Sequence, residues 1–580
     1  MKTCTLRLLL PALLGGLCVA QETSGTRAAR LPVTEITAFK DGHAFVLRSG
    51  DAPVGADGKI RLDDLPKPLL GTFWPAVAGD GLSLRSVTAG QRRVAVERTA
   101  LELRQLLAAN LGKRIVVREA GDLRYEATVL DLPHRPAAEV EAGGALAPAL
   151  PERSDVVLLR TATARKDTSA ERIADDGVRL VRLDRIVDVT FLDDVQTKFA
   201  DEQIRPQLVL DVACQGGAPA TVPVRLSWVE QGFRWIPSYR IVIDGKGQAI
   251  VQLQATLEND LVDVENATVH LVVGVPSFVA KGQLDPISLQ AAVAEAVARL
   301  PRGQSQMAFS NAIMSQVASN EAFYSPEAGP AGAEVEGGRK EQDLYVFTVS
   351  GITLRARDRM VVPLGETKVA YRDVWKLDVP MTPPQEVWEQ QARDQGALAR
   401  LLAAPKVRHE IRLANRGAAP FTTAPALVLQ GSQVLAQGTM TYTPAGGSCD
   451  LELTTAIDIL VKKTDRETGR TPNAVRWNDH NYLRIDLEGT LRLANRRQEA
   501  VDVEVRRTVF GKLQSATAGG AIDQLNAYDD DALADVRSGR YPYYGIWSAV
   551  LNGLGRATWT VHLEPGKEAE VACTWQYYWR

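Results

Sequence analysis

Cysteine is scarce in this sequence, with five in 580 residues. Cys4 and Cys18 fall within residues 1–20, which leaves Cys214, Cys449 and Cys573 for the rest of the chain. Each of these three is in phase with apolar neighbours two residues away, as in Leu210-x-Val212-x-Cys214 and Val571-x-Cys573-x-Trp575. That phase reads as three small buried hydrophobes rather than a disulfide framework. One pair among them remains open on sequence alone. Net charge is also lacking: 67 Lys and Arg against 70 Asp and Glu leave -3. No long-range field therefore draws the chain to nucleic acid or to acidic lipid. Beyond residue 20, no apolar run is long enough to cross a bilayer as a helix.

Catalytic and metal-binding patterns are missing too. The six histidines are His43, His134, His270, His409, His480 and His562, and none stands at metal-ligand spacing from another. His409 is in phase with Val407, Ile411 and Leu413 and reads as a hydrogen-bonded core residue, whereas His270 and His562 lie on polar strand faces. There is no Gly-x-Ser-x-Gly elbow, no phosphate-binding Walker loop and no complete Gly-x-Gly-x-x-Gly. Gly245-Lys246-Gly247 is a hairpin turn by its setting. Asp529-Asp530-Asp531 with Asp535 lacks the central glycine and closing glutamate of a calcium loop, and reads as a solvated acidic loop. No cofactor and no metal are expected. Paired carboxylates for glycoside hydrolysis meet in space, not in sequence, so this chemistry stays open, with a non-enzymatic reading favoured.

What is present is alternation. From Val222 to Gly274 apolar and polar residues alternate, turn at Asp244-Gly245-Lys246-Gly247, alternate again and turn at Glu258-Asn259-Asp260. This is the pattern of consecutive antiparallel strands with one wet face. Near the C-terminus, Ala557, Trp559, Val561 and Leu563, then Ala569, Val571, Cys573, Trp575 and Tyr577, give two more apolar rows. Burial of such a row fixes strand register, because a one-residue slip exposes all of it. A short echo, Ile411-Arg-Leu-Ala-Asn415-Arg and Leu491-Arg-Leu-Ala-Asn495-Arg, ends a strand at Asn each time. Asn tolerates the left-handed turn geometry, so the echo predicts recurring strand-turn units.

Length predicts several domains and the alternation predicts a mainly β protein: antiparallel β-sandwiches with few short helices, plus a small barrel that resembles the Sm-like or SH3-like type. Residues 1–20 combine basic Lys2 and Arg7, an apolar stretch and the small-residue end Cys18-Val19-Ala20. They read as a signal peptide cleaved near Ala20, which makes the chain exported, periplasmic or secreted. The expected divisions are an N-terminal small β domain at 31–96 and a helix plus Sm-like barrel at 97–195. A central β-sandwich at 203–380 with a mobile insertion at 280–342, a linker helix at 383–403 and a C-terminal β-sandwich at 405–580 follow. The helix of the barrel unit is expected over Glu97–Asn110, from its leucine spacing and Gly112 stop.

The region Leu101–Leu192, a short helix then about five strands with a late loop, resembles the Sm-type small barrel. That resemblance implies RNA contact through Arg114, Arg118, Arg124 and Arg185, yet no aromatic stacking platform accompanies them, so no nucleic-acid partner is expected. Aromatics crowd the C-terminal part instead. Tyr541-Pro542-Tyr543-Tyr544-Gly545-Ile546-Trp547 lies in a turn-rich stretch, and Tyr541, Tyr543, Tyr544 and Trp547 are the candidate ligand-binding residues.

Taken in order, VTEITAFKDGHAFVLRSG, GFRWIPSYRIVI, LENDLVDVENATVHLVVG, LRLANRRQEAVDVEVRR and WTVHLEPGKEAEV resemble the mucoidy-inhibitor-A-like proteins, bacterial exported proteins whose two halves are domains of unknown function. The resemblance covers most of the chain outside the Sm-like region and the insertion. It implies a β-rich envelope protein, hints at exopolysaccharide control, and supplies no catalytic residues. The chain departs from the pattern by lacking a long coiled coil between the halves. The expected function is binding or scaffolding in the bacterial cell envelope, with an envelope protein or polysaccharide as partner. The alternatives are a glycan-binding protein or glycoside hydrolase, and nucleic-acid binding through the Sm-like barrel.

Overall fold

The computed structural model describes residues 28–121, 123–142, 148–161, 177–215, 219–274, 278, 280–288, 344–381, 404–525 and 551–580. Residues 1–20, the 383–403 segment and most of the 280–342 stretch lie outside the described residues. The protein is mainly β and multidomain, built of several antiparallel sheets packed as sandwiches.

The first core joins parts of the chain that are far apart in sequence. A six-stranded sheet runs in the order Tyr345–Leu354, Val264–Val273, Val33–Ala38, His43–Pro53, Thr221–Gln231, Trp74–Val77. A three-stranded sheet of Lys59–Leu62, Lys198–Cys214 and Leu82–Thr99 covers it. Ile36, Val46, Val224 and Val269 of the larger sheet meet Ile60, Leu62, Leu208 and Leu210 of the smaller. The stretches 31–96 and 203–380 therefore share one sandwich and are not separate domains. Alternation marks a strand's apolar face; it does not say which distant strand covers that face.

The expected helix Glu97–Asn110 is shorter than its leucine spacing suggests. The helix covers Leu103–Ala109, with Gln105 Oε1 accepting from the backbone N–H of Leu101 at 2.8 Å. Glu97 to Thr99 instead end the long strand Leu82–Thr99, which pairs along its length with Lys198–Cys214. Backbone pairing over that length outweighs the helix preference of two or three residues.

Beyond that ribbon sit five strands in the order Gly177–Arg182, Val156–Thr161, Arg124–Asp131, Arg114–Glu119, Ile186–Phe191. They curl around Leu107, Ile115, Val117, Val129, Val157 and Leu159. The expected barrel is not closed: the outer strands Gly177–Arg182 and Ile186–Phe191 are joined by a 3-10 turn at Leu183–Arg185 but do not pair. Side chains bridge the opening. Buried Glu119 accepts the Tyr125 hydroxyl at 2.7 Å and lies 3.1 Å from Arg179 on the outer strand. The Arg179 guanidinium stands 5.0 Å above the Tyr125 ring. Burial, then the Glu119 carboxylate, push the Tyr125 hydroxyl up, so it stays a donor. Glu119→Ala is expected to cost about 2 kcal/mol, because it leaves the buried Tyr125 hydroxyl unpaired and frees Arg179. Hydrogen exchange should show the loss first at the amides of Gly177–Arg182; unchanged protection there would contradict the bridge.

Twelve of the strands repeat one arrangement three times. In each unit a strand ends at a fully buried Asn, two further strands pair antiparallel, and a fourth returns to pair with the first. The first unit uses Gln248–Asn259, Val264–Val273, Tyr345–Leu354 and Arg359–Val379. The second uses Arg408–Ala414 with Asn415, then Ala424–Gln430, Gln433–Met440 and Ser448–Thr455. The third uses His480–Asn495, Val501–Phe510, Leu554–Leu563 and Glu568–Trp579. Even the register agrees: the residue before each Asn pairs with the start of the returning strand, as Glu258 with Arg359, Ala414 with Ser448 and Ala494 with Glu568. The second strand of each unit makes a parallel pair with an earlier strand, against Val33–Ala38, Phe233–Ile243 and Arg359–Val379 in turn. The two echoed phrases are thus copies two and three of a larger repeat.

The strand Arg359–Val379 ties the units together. It pairs first with Gln248–Asn259, then with Arg408–Ala414, and last with Val501–Phe510. The segment 405–580 accordingly feeds two larger cores, besides a small one around Ile485, Phe510 and Tyr577. Ile411, Leu413, Val428 and Leu451 pack with Tyr239, Ile241 and Val251 of the central strands. Leu491, Val503, Trp559, Val571 and Trp575 form the other. Cys449 and Cys573 are buried, Cys214 is half-buried, and all three are free thiols.

Candidate functional site

Three strands pass from the first core into the second: Phe233–Ile243, Gln248–Asn259 and Arg359–Val379. Pro237 lies within the first, opposite Ala255, and a bulge between Leu253 and Gln254 offsets the second against Pro363 and Gly365. Bulges bend a sheet and deepen its twist. At this bend lies an open groove of about 720 Å³, within the size range of small-ligand and peptide sites.

The outward residues of alternating strands make its floor. Ser238 and Arg240 flank buried Tyr239, and Gln252 and Gln254 lie opposite them in register. Arg240 Nη1 donates to Gln252 Oε1 at 3.0 Å, and Gln252 Nε2 donates to Glu366 Oε2 at 2.8 Å. Gln254 Nε2 donates to Ser238 Oγ at 3.0 Å. The one cation and the one anion of the floor each bond the neutral Gln252 and keep their charge. Pro363 and Leu364 bound one side, and Pro425 and Leu427 bound the other.

At Gln437 this groove adjoins a second cavity of about 460 Å³, lined by Glu410, Asp450 and Glu452. It lies where the edge strands Gln433–Met440 and Ser448–Thr455 face each other without forming a ladder. Its carboxylates are held from behind. Lys376 bonds Asp450 and lies 2.8 Å from Glu410; Arg412 reaches Asp450 at 2.6 Å and Glu504 at 3.0 Å. Burial pushes the Asp450 carboxyl up, but Arg412 and Lys376 outweigh it and hold it below its ordinary value of 3.8. Burial alone would pull Lys376 down; Asp450 and Glu410 raise it above 10.5 instead. Glu504 is likewise held below 4.5 by Arg412 and Arg372, against its burial.

A pH dependence follows from these directions. The depressed carboxylates contribute stability that is present above 4.5 and is lost as pH falls through their folded-state values. The raised Lys376 contributes below 10.5 and loses that contribution only above it. Thermal unfolding should therefore be flat between about pH 5 and 9 for this network and fall below about pH 4. Asp450→Asn is expected to flatten that acid limb by about 1 kcal/mol, a figure already discounted for solvent screening of half-exposed partners. An acid limb identical in the two proteins would show that other carboxylates carry it.

The histidines do not converge. His43 is buried, with Nδ1 3.0 Å from Asp41 Oδ2. His409 stacks on Trp375 at 5.1 Å and pairs with Asp373 at 2.8 Å, half-buried. His562 is exposed and lies between Asp502 at 2.7 Å and Glu564 at 3.2 Å, and these bonds raise its pKa. Among the described residues, no three or more His, Cys, Asp or Glu side chains gather in a geometry that could hold a metal ion. Tyr541, Tyr543, Tyr544 and Trp547 lie outside the described residues, as does the Asp529–Asp531 cluster. The groove residues were visible in the sequence only as the polar half of an alternating pattern; nothing local says that these polar faces adjoin at a bend. No family model matches the chain, and no curated protein matches it.

Proposed function

We propose that the chain is an exported, non-enzymatic protein that binds or scaffolds in the bacterial cell envelope, as its likeness to the mucoidy-inhibitor-A-like proteins implies. The observation that carries the binding role is the groove at the bend between two cores, whose floor groups are already bonded side to side and so are fixed in place before any ligand arrives. Sites at the junction of two packed units are common because the scaffold on either side is rigid.

Of the adjoining carboxylates, Asp450 does not suit the acid role in glycoside hydrolysis. A glycosidase needs one carboxyl kept protonated, with its pKa raised. Asp450 is displaced in the other direction by Arg412 and Lys376. Two of the four arginines considered for RNA contact already face carboxylates: Arg114 lies 3.3 Å from Glu126 and 3.6 Å from Asp193, and Arg185 lies 3.8 Å from Glu119. The alternative of a glycan-binding protein shares the groove and differs in what fills it.

Expression of the whole chain in a Gram-negative host, followed by fractionation and N-terminal sequencing, tests export. Recovery from the periplasm or medium beginning near Gln21 supports it; a cytoplasmic protein that keeps Met1 overturns it. Photo-crosslinking from position 254 in intact envelopes tests binding, with adducts expected. Hydrolysis of an envelope polysaccharide that disappears in a folded Asp450→Asn variant would overturn the non-enzymatic reading.

A further inference from the structure

We infer that a cavity at the edge of the first sandwich binds a free α-amino acid, a small molecule with one charge of each sign. The cavity shares no lining residue with the groove, so this is a second site. Val33–Ala38 and Val264–Val273 are parallel neighbours and enter their sheet at the same end. The cavity lies there and measures about 240 Å³. That is room for about eight waters at the volume each takes in the liquid, or for one amino acid. Two cations, Arg30 and Arg48, and two anions, Asp263 and Glu265, line it beside Pro32 and Val262. Neither arginine forms an ion pair with either of these carboxylates.

Arg48 carries the inference. It is 4% exposed, and its guanidinium lies 5.6 Å from the Trp228 ring. Its Nη1 donates to Asp64. Glu230, the other carboxylate near it, accepts the Trp228 indole N–H at 2.8 Å instead. Nε is buried without a partner, and Nη2 bonds none of the described residues. Nε and Nη2 form the edge that a carboxylate takes in a bidentate pair. A buried donor left unpaired marks the place of a missing polar partner. Arg30 adds a second cation. It is exposed, and its side chain bonds none of the described residues. Burial, and then the charge of Arg30, pull the Arg48 guanidinium down to about 10. A carboxylate seated between the two arginines accepts from both and relieves their repulsion. An anion alone would also meet Asp263 and Glu265, which repel it. Asp263 keeps its charge while its Oδ1 accepts the Ala356 N–H at 2.9 Å, and exposed Glu265 bonds no described cation. An ammonium group on the same ligand gives these two their counter-charge. The ligand's side chain then rests on Pro32 and Val262.

Titration calorimetry with the full chain at neutral pH tests this. The probes are glycine and L-leucine, N-acetyl-L-leucine, which lacks the ammonium, L-leucinamide, which lacks the carboxylate, and inorganic phosphate. Leucine is expected to bind, and each capped form to bind about tenfold or more weakly. Arg30→Gln and Glu265→Gln are each expected to weaken leucine by a similar factor. Both side chains are exposed, so thermal unfolding unchanged from the parent should confirm that the variants fold. Binding by neither glycine nor leucine overturns the inference. Equal binding of N-acetyl-leucine or of phosphate also overturns it, because the cavity is then a plain anion site. Leucine binding that neither variant weakens overturns it as well, because the amino acid then sits elsewhere.

Discussion

Gly489→Ala is expected to destabilise the C-terminal sandwich by about 3 kcal/mol or more, and adding Arg507→Met is expected to recover most of that loss. Arg507 is 2% exposed, inside a core otherwise built of Leu491, Val503, Trp559, Val571 and Trp575. Three features hold its charge there. Its Nη2 donates to Asp465 Oδ1 at 2.5 Å, its guanidinium stacks 4.9 Å from the Trp575 ring, and its flat face lies over Gly489. A Cβ at Gly489 would overlap Nη1, Nη2 and Cζ of Arg507 at once. Gly489 sits mid-strand between Asp465 and Cys573 in register, so the glycine is there for the slot and not for a turn.

The alanine methyl forces the guanidinium out, which breaks a buried ion pair and removes a cation from its aromatic partner. Methionine at 507 has no charge to strand and a flexible thioether to fill the gap. Asp465 keeps access to Lys463 at 3.3 Å and is a quarter exposed, so losing Arg507 leaves it tolerably solvated. The single Arg507→Met change should therefore cost less than Gly489→Ala, and the two should couple by more than about 1.5 kcal/mol in a denaturant-unfolding cycle. Additive effects would mean that Gly489 acts through its own backbone and not through the arginine.

Neither Gly489 nor Arg507 could be singled out from sequence. Each reads as an ordinary member of an alternating strand, and the partnership exists only because two different sheets face each other. The same limit recurs throughout the molecule. The strands from Val222 to Gly274 and the paired apolar rows near the C-terminus are legible because alternation is a property of one strand alone. Their assembly is not: Val33–Ala38 lies beside Val264–Val273, and Leu554–Leu563 and Glu568–Trp579 enter different sheets although a four-residue turn connects them. The Glu97–Asn110 stretch shows a local signal overridden, since Lys198–Cys214 extends the preceding strand into the region with helical spacing. The groove is hidden for the same reason. Gln252 and Gln254 look like routine solvated positions until Pro363 and Leu427 appear on either side. The repeat was half visible. Its second and third copies share the phrase Arg-Leu-Ala-Asn-Arg, while the first keeps only Asn259 and the leucine two residues before it.

Asn495→Ala should destabilise the protein by about 3 kcal/mol, with Asn259→Ala and Asn415→Ala close behind. All three asparagines are 0% exposed, and each does the same job. The side-chain oxygen accepts the N–H two residues on, from Leu261 at 3.1 Å, Gly417 at 3.1 Å and Arg497 at 2.9 Å. The side-chain nitrogen donates once within the turn, to Val262, Ala419 or Glu499. It donates again across the unit, to Leu354 at 3.0 Å, Thr443 at 3.1 Å or Leu563 at 3.0 Å. One amide group thus satisfies three backbone groups that the chain reversal would otherwise bury unpaired, and each orphan costs about 1–3 kcal/mol. Aspartate is nearly the same shape but turns the donor into an acceptor facing two carbonyls. Burial beside those carbonyls raises the folded-state pKa of that carboxyl above its unfolded value, so its penalty is present at neutral pH and shrinks as pH falls toward the unfolded value. Asn495→Asp should therefore exceed Asn495→Ala in cost at pH 7 and approach it near pH 4, each measured against the parent protein at the same pH. A pH-independent difference, or an alanine cost below about 0.5 kcal/mol at all three positions, would show that the turns hold without the amide.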